Sequence, residues 1–380
     1  MKLIYCICNV CNPGGMERVL LNKVRYLVEV MHWDVTVVTT DQKGRPPFYA
    51  FPPQVRMLDL DINYTDDNNK GVLGKTMGYL KRRRLHRKRF TELLMREKAD
   101  VVVSLFPSES SFIPDIKDGS RKVLELHFCK FFRLQYGRGG LMGLIDKIRT
   151  RQDERLVRSF DRFVVLTEED KGYWGDIPNI TVIPNAALLS EGPQSTTGNH
   201  RVIAVGRMDY QKGFDRLVEA WDIVCRDSHF ADWRLDIYGQ GEWREMLQGM
   251  IDSRGLQGRI ALNAPTKGIT DEYAASSMLV MSSNYEGFPM VMIEAMACGL
   301  PVVAFDFKCG PRDIIEDGCN GLIVPNGDIE GLAHAMMRVM GDDELRRSMG
   351  AAAVKVTERY SEEAVMKQWV ELFETINEER

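Results

Sequence analysis

Short apolar runs rich in β-branched residues, each followed by a stretch with helical spacing, recur along the whole of this 380-residue sequence. They lie at 3–8, 35–39, 101–105, 122–127, 163–167, 202–206, 235–238, 259–262, 279–282, 302–305 and 322–324. Because these runs lack a polar alternate face, they are typical of parallel strands that helices cover on both sides. The pattern predicts an α/β chain built from doubly wound, Rossmann-like sheets.

The sequence predicts two such domains rather than one. Hydrophobic residues make up 44% of the chain, enough for two cores, and residues 190–199 form a polar linker. We expect an N-terminal domain at 1–190 and a C-terminal domain at 200–360. A last amphipathic helix at 361–380, capped by Ser361, should pack back toward the first domain. Parallel sheets bind ligands at the carboxyl ends of their strands, so we expect the site in a cleft between the domains.

Composition narrows the class of protein. No apolar run reaches the roughly 18 residues of a membrane span, and the apolar stretch after Lys2 is too short for a secretory signal, so we expect a cytoplasmic protein. The eight cysteines sit mostly in apolar runs, which indicates reduced, buried thiols. Cys6, Cys8 and Cys11 could be imagined as metal ligands, but no second ligand cluster lies nearby, and core packing is the favoured interpretation.

Charge is distributed unequally. Residues 1–190 carry 31 Lys and Arg against 23 Asp and Glu, while residues 191–380 carry 19 against 31, within a net charge of -4. The run at 81–89, Lys-Arg-Arg-Arg-Leu-His-Arg-Lys-Arg, reads as a cationic helix face interrupted only by Leu85. It suits an anionic membrane surface or a lipid diphosphate. A solvated charged face and nucleic-acid binding are the alternatives; we expect no nucleic acid to bind.

Three glycine-containing loops follow predicted strands. Gly14 and Gly15 precede a helix and would let the backbone approach an anion, although a tight turn alone also explains them; they do not form the dinucleotide pattern G-x-G-x-x-G. Arg207 and Lys212 flank the loop of 205–213, where two cations suit a diphosphate, unless Lys212 is only a solvated surface lysine. The third loop, at 237–241, follows a strand and contains Gly239 and Gly241; the family resemblance described below implies that these two glycines lie against the nucleotide.

The longest signature is 284–303, Asn-Tyr-Glu-Gly-Phe-Pro-Met-Val-Met-Ile-Glu-Ala-Met-Ala-Cys-Gly-Leu-Pro-Val-Val. A Glu-x7-Glu pair occurs about twice by chance in this chain, so context carries the argument. Glu286 lies in a loop after a strand, and Glu294 follows inside a helix, where it can accept hydrogen bonds from vicinal hydroxyls. The turn between them comprises Gly287, Phe288, Pro289, Met290 and Val291, and the backbone N–H groups of Phe288, Met290 and Val291 can face a polar ligand.

These motifs resemble the family 4 glycosyltransferases, a retaining group with the GT-B architecture of two Rossmann-like domains. The resemblance covers nearly the whole second half, together with the Gly-Gly turn and a histidine after a first-domain strand, but not residues 60–95. It implies that Glu286 contacts the donor sugar and Glu294 the ribose, and that Arg207 and Lys212 hold the diphosphate. It also implies that His127 lies near the reacting sugar.

The resemblance implies a glycosyltransferase that moves a hexose or N-acetylhexosamine from a nucleotide sugar, with UDP favoured, to a saccharide or lipid-linked acceptor. Such an enzyme would act at the inner membrane face in surface polysaccharide or lipopolysaccharide synthesis, without a cofactor or a metal. The sequence Asp59-Leu60-Asp61 has the form of a metal motif but follows an apolar run. The alternatives are a nucleotide-sugar epimerase and a non-catalytic module that binds sugar nucleotides or nucleic acid.

Overall fold

The computed structural model describes residues 1–67, 69, 71–106, 108–134, 140–187 and 192–379. The chain divides into two compact units. The first comprises Met1–Leu166, Lys171–Ile183 and Met366–Arg380, and the second comprises Thr167–Asp170 and Pro184–Val365. Each unit contains one parallel sheet.

The sheet of the first unit has seven parallel strands in the order β3-β2-β1-β4-β5-β6-β7. The strands are β1 (Lys2–Cys6), β2 (Asp34–Thr39), β3 (Arg56–Asp59), β4 (Val101–Ser104), β5 (Arg121–Glu125), β6 (Arg162–Val165) and β7 (Ile180–Val182). The helices of this half are α1 (Gly15–Glu29), α2 (Val72–Glu97) and α3 (Gly140–Val157), together with the end of α4 (Glu168–Trp174), whose residues up to Asp170 belong to the second unit. The order reverses direction between β1 and β4, where Cys6 lies opposite both Val38 and Ser104.

The second unit repeats the same plan with six parallel strands, in the order β10-β9-β8-β11-β12-β13. They are β8 (Arg201–Val205), β9 (Arg234–Tyr238), β10 (Ile260–Asn263), β11 (Met278–Met281), β12 (Val302–Phe305) and β13 (Gly321–Val324). The helices are α5 (Phe214–Cys225), α6 (Arg244–Ser253), α7 (Ile269–Ala274), α8 (Met290–Ala297), α9 (Pro311–Ile314), α10 (Ile329–Gly341), α11 (Asp343–Ala353) and α12 (Val356–Tyr360). The predicted fold class, a chain of two doubly wound α/β sheets, is confirmed.

The last helix, α13 (Glu362–Glu378), begins after Ser361, whose hydroxyl accepts the Ala364 amide at 3.3 Å. From Met366 onward it belongs to the first unit. Its buried face carries Trp369 and Phe373, which are 1% and 0% exposed. Spacing of i and i+4 places these rings on one stripe of the helix.

The basic segment at 81–89 lies in the middle of α2. Its side chains differ more in their surroundings than the uniformly cationic sequence predicts. Arg82 donates to Asp67 at 2.9 Å, and Arg89 donates to the Leu60 carbonyl at 2.6 Å, so both side chains hold the preceding loop. His86 is buried against the aromatic ring of Phe112, with 5.0 Å between centroids, and burial lowers the pKa of His86 to about 4. The cationic face is therefore interrupted at His86 as well as at Leu85.

All eight cysteines are free thiols. Burial of the N-terminal cysteines as a group is wrong, because Cys6 is buried while Cys11 is half-buried and Cys8 is exposed. Cys6 lies inside β1, whereas the other two lie in the loop that follows it. Across the described residues, no helix combines the length and the apolar character needed to cross a bilayer.

Candidate active site

The chemistry-bearing residues of the second unit gather where its sheet order reverses. β8 and β11 are neighbours in the sheet, and the loops after them lead to α5 and α8. Because the two connections leave in opposite directions, the carboxyl ends of such strands form the crevice in which doubly wound sheets bind ligands. Arg207 and Lys212 lie in the first of these loops, and Glu286 lies in the second.

Glu286 and Lys212 form an ion pair at this point. The Lys212 Nζ donates to Glu286 Oε1 at 2.6 Å, and the same oxygen accepts the Ser283 hydroxyl at 2.8 Å. The other carboxylate oxygen accepts the side-chain amide of Gln211 at 3.1 Å. Glu286 is only 6% exposed, so this charge is held by three protein donors in a largely desolvated position.

Arg207 is far more open to solvent, with 70% of its side chain exposed. Its Nη2 donates to Gln211 Oε1 at 2.8 Å, and its Nε lies 3.3 Å from Asp209 Oδ2. Gln211 thus links the guanidinium to the Glu286 carboxylate through its two amide atoms. Each predicted diphosphate-binding cation already has one carboxylate partner, so an incoming anion would compete with these carboxylates.

The glycines of the neighbouring loop allow two backbones to touch. A Cβ at Gly239 would lie 1.8 Å from the Gly206 carbonyl oxygen, and a Cβ at Gly241 would lie 2.3 Å from the Met208 carbonyl oxygen. The Met208 amide also donates to the Gln240 carbonyl at 2.9 Å. The structure therefore gives Gly239 and Gly241 a packing role, and their predicted contact with a nucleotide stays a prediction.

The turn between the two glutamates has a buried and a half-buried part. Phe288 and Pro289 are buried, and the Phe288 ring packs on Tyr360 with 5.7 Å between centroids. Gly287, Met290 and Val291 are half-buried. The Met290 amide donates to the Phe288 carbonyl at 3.0 Å, so this predicted ligand donor already has an internal acceptor.

Glu294 lies half-buried on α8, the helix that starts at Met290. Burial and then the charge of Glu294 raise the pKa of Tyr273 well above its usual range and that of Cys298 to about 11. These two neighbours therefore stay protonated at neutral pH. Its predicted contact with ribose hydroxyls stays a prediction.

In the first unit, the Gly-Gly turn forms the start of α1. Gly14 occupies the N-cap position, and no side chain caps the helix there. A Cβ at Gly14 would lie 2.1 Å from a carboxylate oxygen of Glu17, whereas a Cβ at Gly15 would meet nothing within 4 Å. A side chain at position 14 would therefore require the end of the Glu17 side chain to move away from the helix start. Gly15 has open space beside it, as an anion seat would require.

His127 follows β5 and contacts a buried ion pair. Its Nε2 lies 3.2 Å from Glu125 Oε1, and Lys23 on α1 donates to the same oxygen. Glu125 and Lys23 are 1% and 5% exposed. Burial alone would raise the pKa of Glu125, but the charges and hydrogen bonds of Lys23 and His127 lower it to about 2. Burial also lowers the pKa of Lys23 despite the opposing charge of Glu125.

Sequence reasoning found His127 and Glu286 but missed the residues that hold them. Two signals for the first unit were present. Glu125 stands two residues before His127 in the strand predicted at 122–127, and residues so spaced on a strand share one face. Lys23 stands between Leu20 and Leu27 on the apolar stripe of α1, where an unpaired lysine would be costly. Gln211 and Ser283 of the second unit lie in loops, whose contacts no spacing rule predicts.

Asp59 and Asp61 have the spacing of a metal-binding motif in the sequence. In the structure Asp59 lies at the end of β3 and Asp61 just beyond it. Asp59 accepts the Thr39 hydroxyl at 3.0 Å, and the Asn63 side-chain amide donates to Asp61.

Asp313, a helix-start residue in the second unit, accepts the Glu168 amide at 2.7 Å and so caps α4.

Comparison with known proteins finds several relatives, among them two that are named as glycosyltransferases. The chain is 26% identical over 374 residues to an uncharacterized glycosyltransferase of Haemophilus influenzae, covering 97% of this chain and 98% of that one. It is 28% identical to the lipopolysaccharide core biosynthesis glycosyltransferase LpsE of Rhizobium meliloti, over 73% of this chain and 76% of that one. An exopolysaccharide phosphotransferase of Streptomyces coelicolor is 35% identical over 57% of this chain, but the chain spans only 23% of that protein's length.

Among solved structures, a mutant of TarM from S. aureus, in complex with Fondaparinux, alpha-GlcNAc-glycerol and UDP, matches with a TM-score of 0.76. The match covers 98% of this chain and 100% of that one at 19% identity, which supports the shared fold alone. Residues 13–189 match the model of Glycosyltransferase Family 4, and residues 189–356 match that of Glycosyl transferases group 1. The two matches meet at residue 189 and together cover residues 13–356, which include every strand of the two sheets except β1, and the chain therefore belongs to the family 4 glycosyltransferases with the GT-B fold.

Proposed function

We propose that this chain transfers a hexose or N-acetylhexosamine from a nucleoside diphosphate sugar, with UDP as the first choice, to a saccharide or lipid-linked acceptor. The proposal includes retention of the anomeric configuration and a place in surface polysaccharide or lipopolysaccharide synthesis. The observation that carries it is the Lys212–Glu286 pair, joined at 2.6 Å where the second sheet reverses its order. The names of the Haemophilus influenzae and Rhizobium meliloti relatives and the UDP in the TarM complex support the same chemistry.

The pair suits a donor that carries both a diphosphate and a sugar. A diphosphate approaching Arg207 and Lys212 would offer Lys212 a stronger anionic partner than Glu286. Glu286, still held by Ser283 and Gln211, would then accept hydrogen bonds from sugar hydroxyls. Two cations preorganised in this way stabilise the departing diphosphate, which is the charge that develops in the transition state. We propose that no metal or cofactor is needed for this step.

The test compares two carboxylates of the second unit that pair with a cation at the same distance. Glu272 accepts from Arg201 at 2.6 Å at the amino end of β8, away from the carboxyl edge. Glu286→Gln should lower kcat for transfer from the donor by about 100-fold or more, whereas Glu272→Gln should leave kcat within about 3-fold. Equal losses in both variants would contradict the proposal. Conversion of a UDP-sugar to its epimer without an acceptor would favour the epimerase instead.

We further propose that α2 brings the chain to an anionic membrane surface where a lipid-linked acceptor resides. Lys81, Arg84 and Lys88 are exposed, and among the described residues they have no ion-pair partner. They continue the face of Met77 and Leu80, which are 72% and 49% exposed. An open groove of about 210 Å³ beside them is lined by Leu80, Arg83, Arg84, Arg87 and Phe112. Arginines next to apolar walls suit a phosphate at the head of a lipid.

Sedimentation with vesicles of phosphatidylglycerol and phosphatidylcholine tests this surface. The triple change of Lys81, Arg84 and Lys88 to Glu should abolish binding at about 0.1 M salt, because each basic residue near an anionic surface contributes about 1 kcal/mol. The matched control changes Lys267, Arg347 and Lys355, residues of the second unit, to Glu and should bind as the unchanged chain does. Equal binding by the α2 variant and the unchanged chain would refute the membrane proposal.

A further inference from the structure

Glu125 gives one oxygen to two partners and leaves the other without any. Its Oε1 accepts from Lys23 and lies 3.2 Å from His127 Nε2, while its buried Oε2 has no hydrogen-bond partner among the described residues. The arrangement aligns a lysine, a carboxylate and an imidazole through one atom.

This alignment favours one of the two nitrogens of His127 as the one that carries the proton. Glu125 is ionised throughout the neutral range, since its pKa is about 2, and an ionised carboxylate can only accept. A hydrogen on Nε2, the nitrogen that lies 3.2 Å from this carboxylate, is therefore favoured over one on Nδ1. In the neutral imidazole the other nitrogen, Nδ1, is then left as a hydrogen-bond acceptor.

Two aromatic rings also lie close to the ammonium group of Lys23. Its Nζ lies 3.5 Å from the centroid of the Trp369 ring on α13 and 6.0 Å from that of Tyr5 on β1. The hydroxyl of Tyr5 is buried and lacks a hydrogen-bond partner among the described residues, and Tyr5 stays protonated because burial and then Glu125 raise its pKa. Lys23 and His127 thus both face the carboxylate, and the aromatic rings restrict the lysine to one position.

We propose that Glu125 is the positioning residue of His127: it holds the imidazole as the Nε2–H tautomer, so that Nδ1 accepts a hydrogen bond from a hydroxyl of the reacting sugar or its acceptor. Lys23 keeps the carboxylate ionised and in place. The inference rests on the proposed glycosyl transfer for its use in catalysis, but the tautomer itself does not depend on that activity.

A purely structural role for the pair is the competing explanation, and strand β5 offers a matched control. Asp118 pairs with Lys122 near the start of the same strand, and their side chains are 0% and 5% exposed. This second buried pair has a similar burial and stabilising role but lies at the opposite end of the strand from His127. Loss of one partner from either pair leaves an uncompensated buried charge and destabilises the fold.

The experiment uses the full chain and three variants: Glu125→Gln, the double change Lys23→Met with Glu125→Gln, and Asp118→Asn. We expect Glu125→Gln to lower kcat by about 10- to 100-fold with little change in KM, as loss of an orienting partner does. The double change removes both charges and should recover the urea midpoint of unfolding but not kcat. Asp118→Asn should lower the urea midpoint and keep kcat. Recovery of kcat in the double variant would overturn the proposal.

A readout without activity separates this inference from the proposed function. In chain labelled with ¹⁵N-histidine, with His127→Ala used for assignment, ring-nitrogen shifts at about pH 8 should report Nε2–H and an unprotonated Nδ1. In Glu125→Gln the substituted amide can donate as well as accept, so the Nδ1–H form should become populated. An Nδ1–H ring in the unchanged chain, or no change in the variant, would contradict the positioning role. If the labelled chain shows the expected tautomer but transfers no sugar, the proposed function fails and the tautomer assignment stands.

Discussion

At the scale of single residues, the close approach of two loops in the second unit makes Gly239 a sensitive position. Gly239→Ala would place a methyl group 1.8 Å from a backbone oxygen, so the loops must separate, and we expect a loss of about 1–3 kcal/mol in the free energy of unfolding. Gly249→Ala, inside α6 and with nothing within 4 Å of its added Cβ, should instead stabilise by about 0.5–1 kcal/mol. Urea unfolding measures both. A Gly239→Ala variant as stable as the unchanged chain would show that this contact is not rigid.

The burial of Glu109 makes the free energy of unfolding depend on pH, and it determines the direction of that dependence. The side chain is 1% exposed, and burial raises the pKa of Glu109 to about 7, although the Ser104 hydroxyl and a backbone amide lower it in part. The folded state thus holds the proton more tightly than the unfolded state, whose pKa is about 4.5. The stability from this group is complete below pH 4.5 and is lost as the pH rises to 7. Between about pH 5 and 8 the loss should be about 3 kcal/mol.

Glu109→Gln tests this directly, because an amide keeps the shape but cannot ionise. The variant should exceed the unchanged chain in unfolding free energy at about pH 8 and resemble it at about pH 5, as measured by urea unfolding at both values. A constant difference between the two proteins across this range would assign the pH dependence to other groups.

Single residues also show which parts of the candidate site sequence motifs can predict and which they cannot. Glu286 and His127 were predicted because they belong to recognisable strand-end patterns, and the structure places each in the segment that follows a strand. The partners that orient them, Gln211 and Lys23, act through contacts between segments distant in sequence. Such contacts depend on the fold, so reasoning from local spacing missed them.

At the scale of elements, prediction found the central strands of both sheets and the edge strands of the second sheet, but it missed the edges of the first sheet. β3 and β7 were missed, and they are the two edge strands of the first sheet. The burial pattern of β3 alternates little and its ends are exposed, while β7 has three half-buried residues. An edge strand packs on fewer neighbours and needs less apolar sequence, so the signal that reveals a central strand is weak there.

The helix α13 should contribute strongly to the stability of the first unit. Phe373 is fully buried, and its ring lies 6.2 Å from that of Trp33. Phe373→Ala should cost about 3–5 kcal/mol through lost contacts and a cavity. Glu371→Ala, an exposed change on the same helix, should stay within about 0.5 kcal/mol. Thermal unfolding of the two variants should differ clearly, and equal midpoints would show that α13 is only loosely docked.

At the scale of the whole molecule, two doubly wound sheets carry different chemistry. The first unit holds the His127 network and the basic helix α2, whereas the second holds the Lys212–Glu286 pair. The charge follows this division, since residues 1–190 are net basic and residues 191–380 net acidic. We interpret Arg207 and Lys212 as a local group of positive charges in a half of the chain that is net acidic. This favours a ligand that binds these two residues specifically.

The most direct test of this account is thermal unfolding of the chain with UDP-, GDP- and ADP-sugars. A true donor at about 100 times its Kd should stabilise the folded state by about 2.7 kcal/mol, a clear rise in Tm. Lys212→Ala should lose most of this rise, while Glu272→Gln should keep it. If none of the nucleotide sugars raises the Tm of the unchanged chain, or if Lys212→Ala responds as strongly, the assignment of the Lys212–Glu286 pair as a donor site is contradicted.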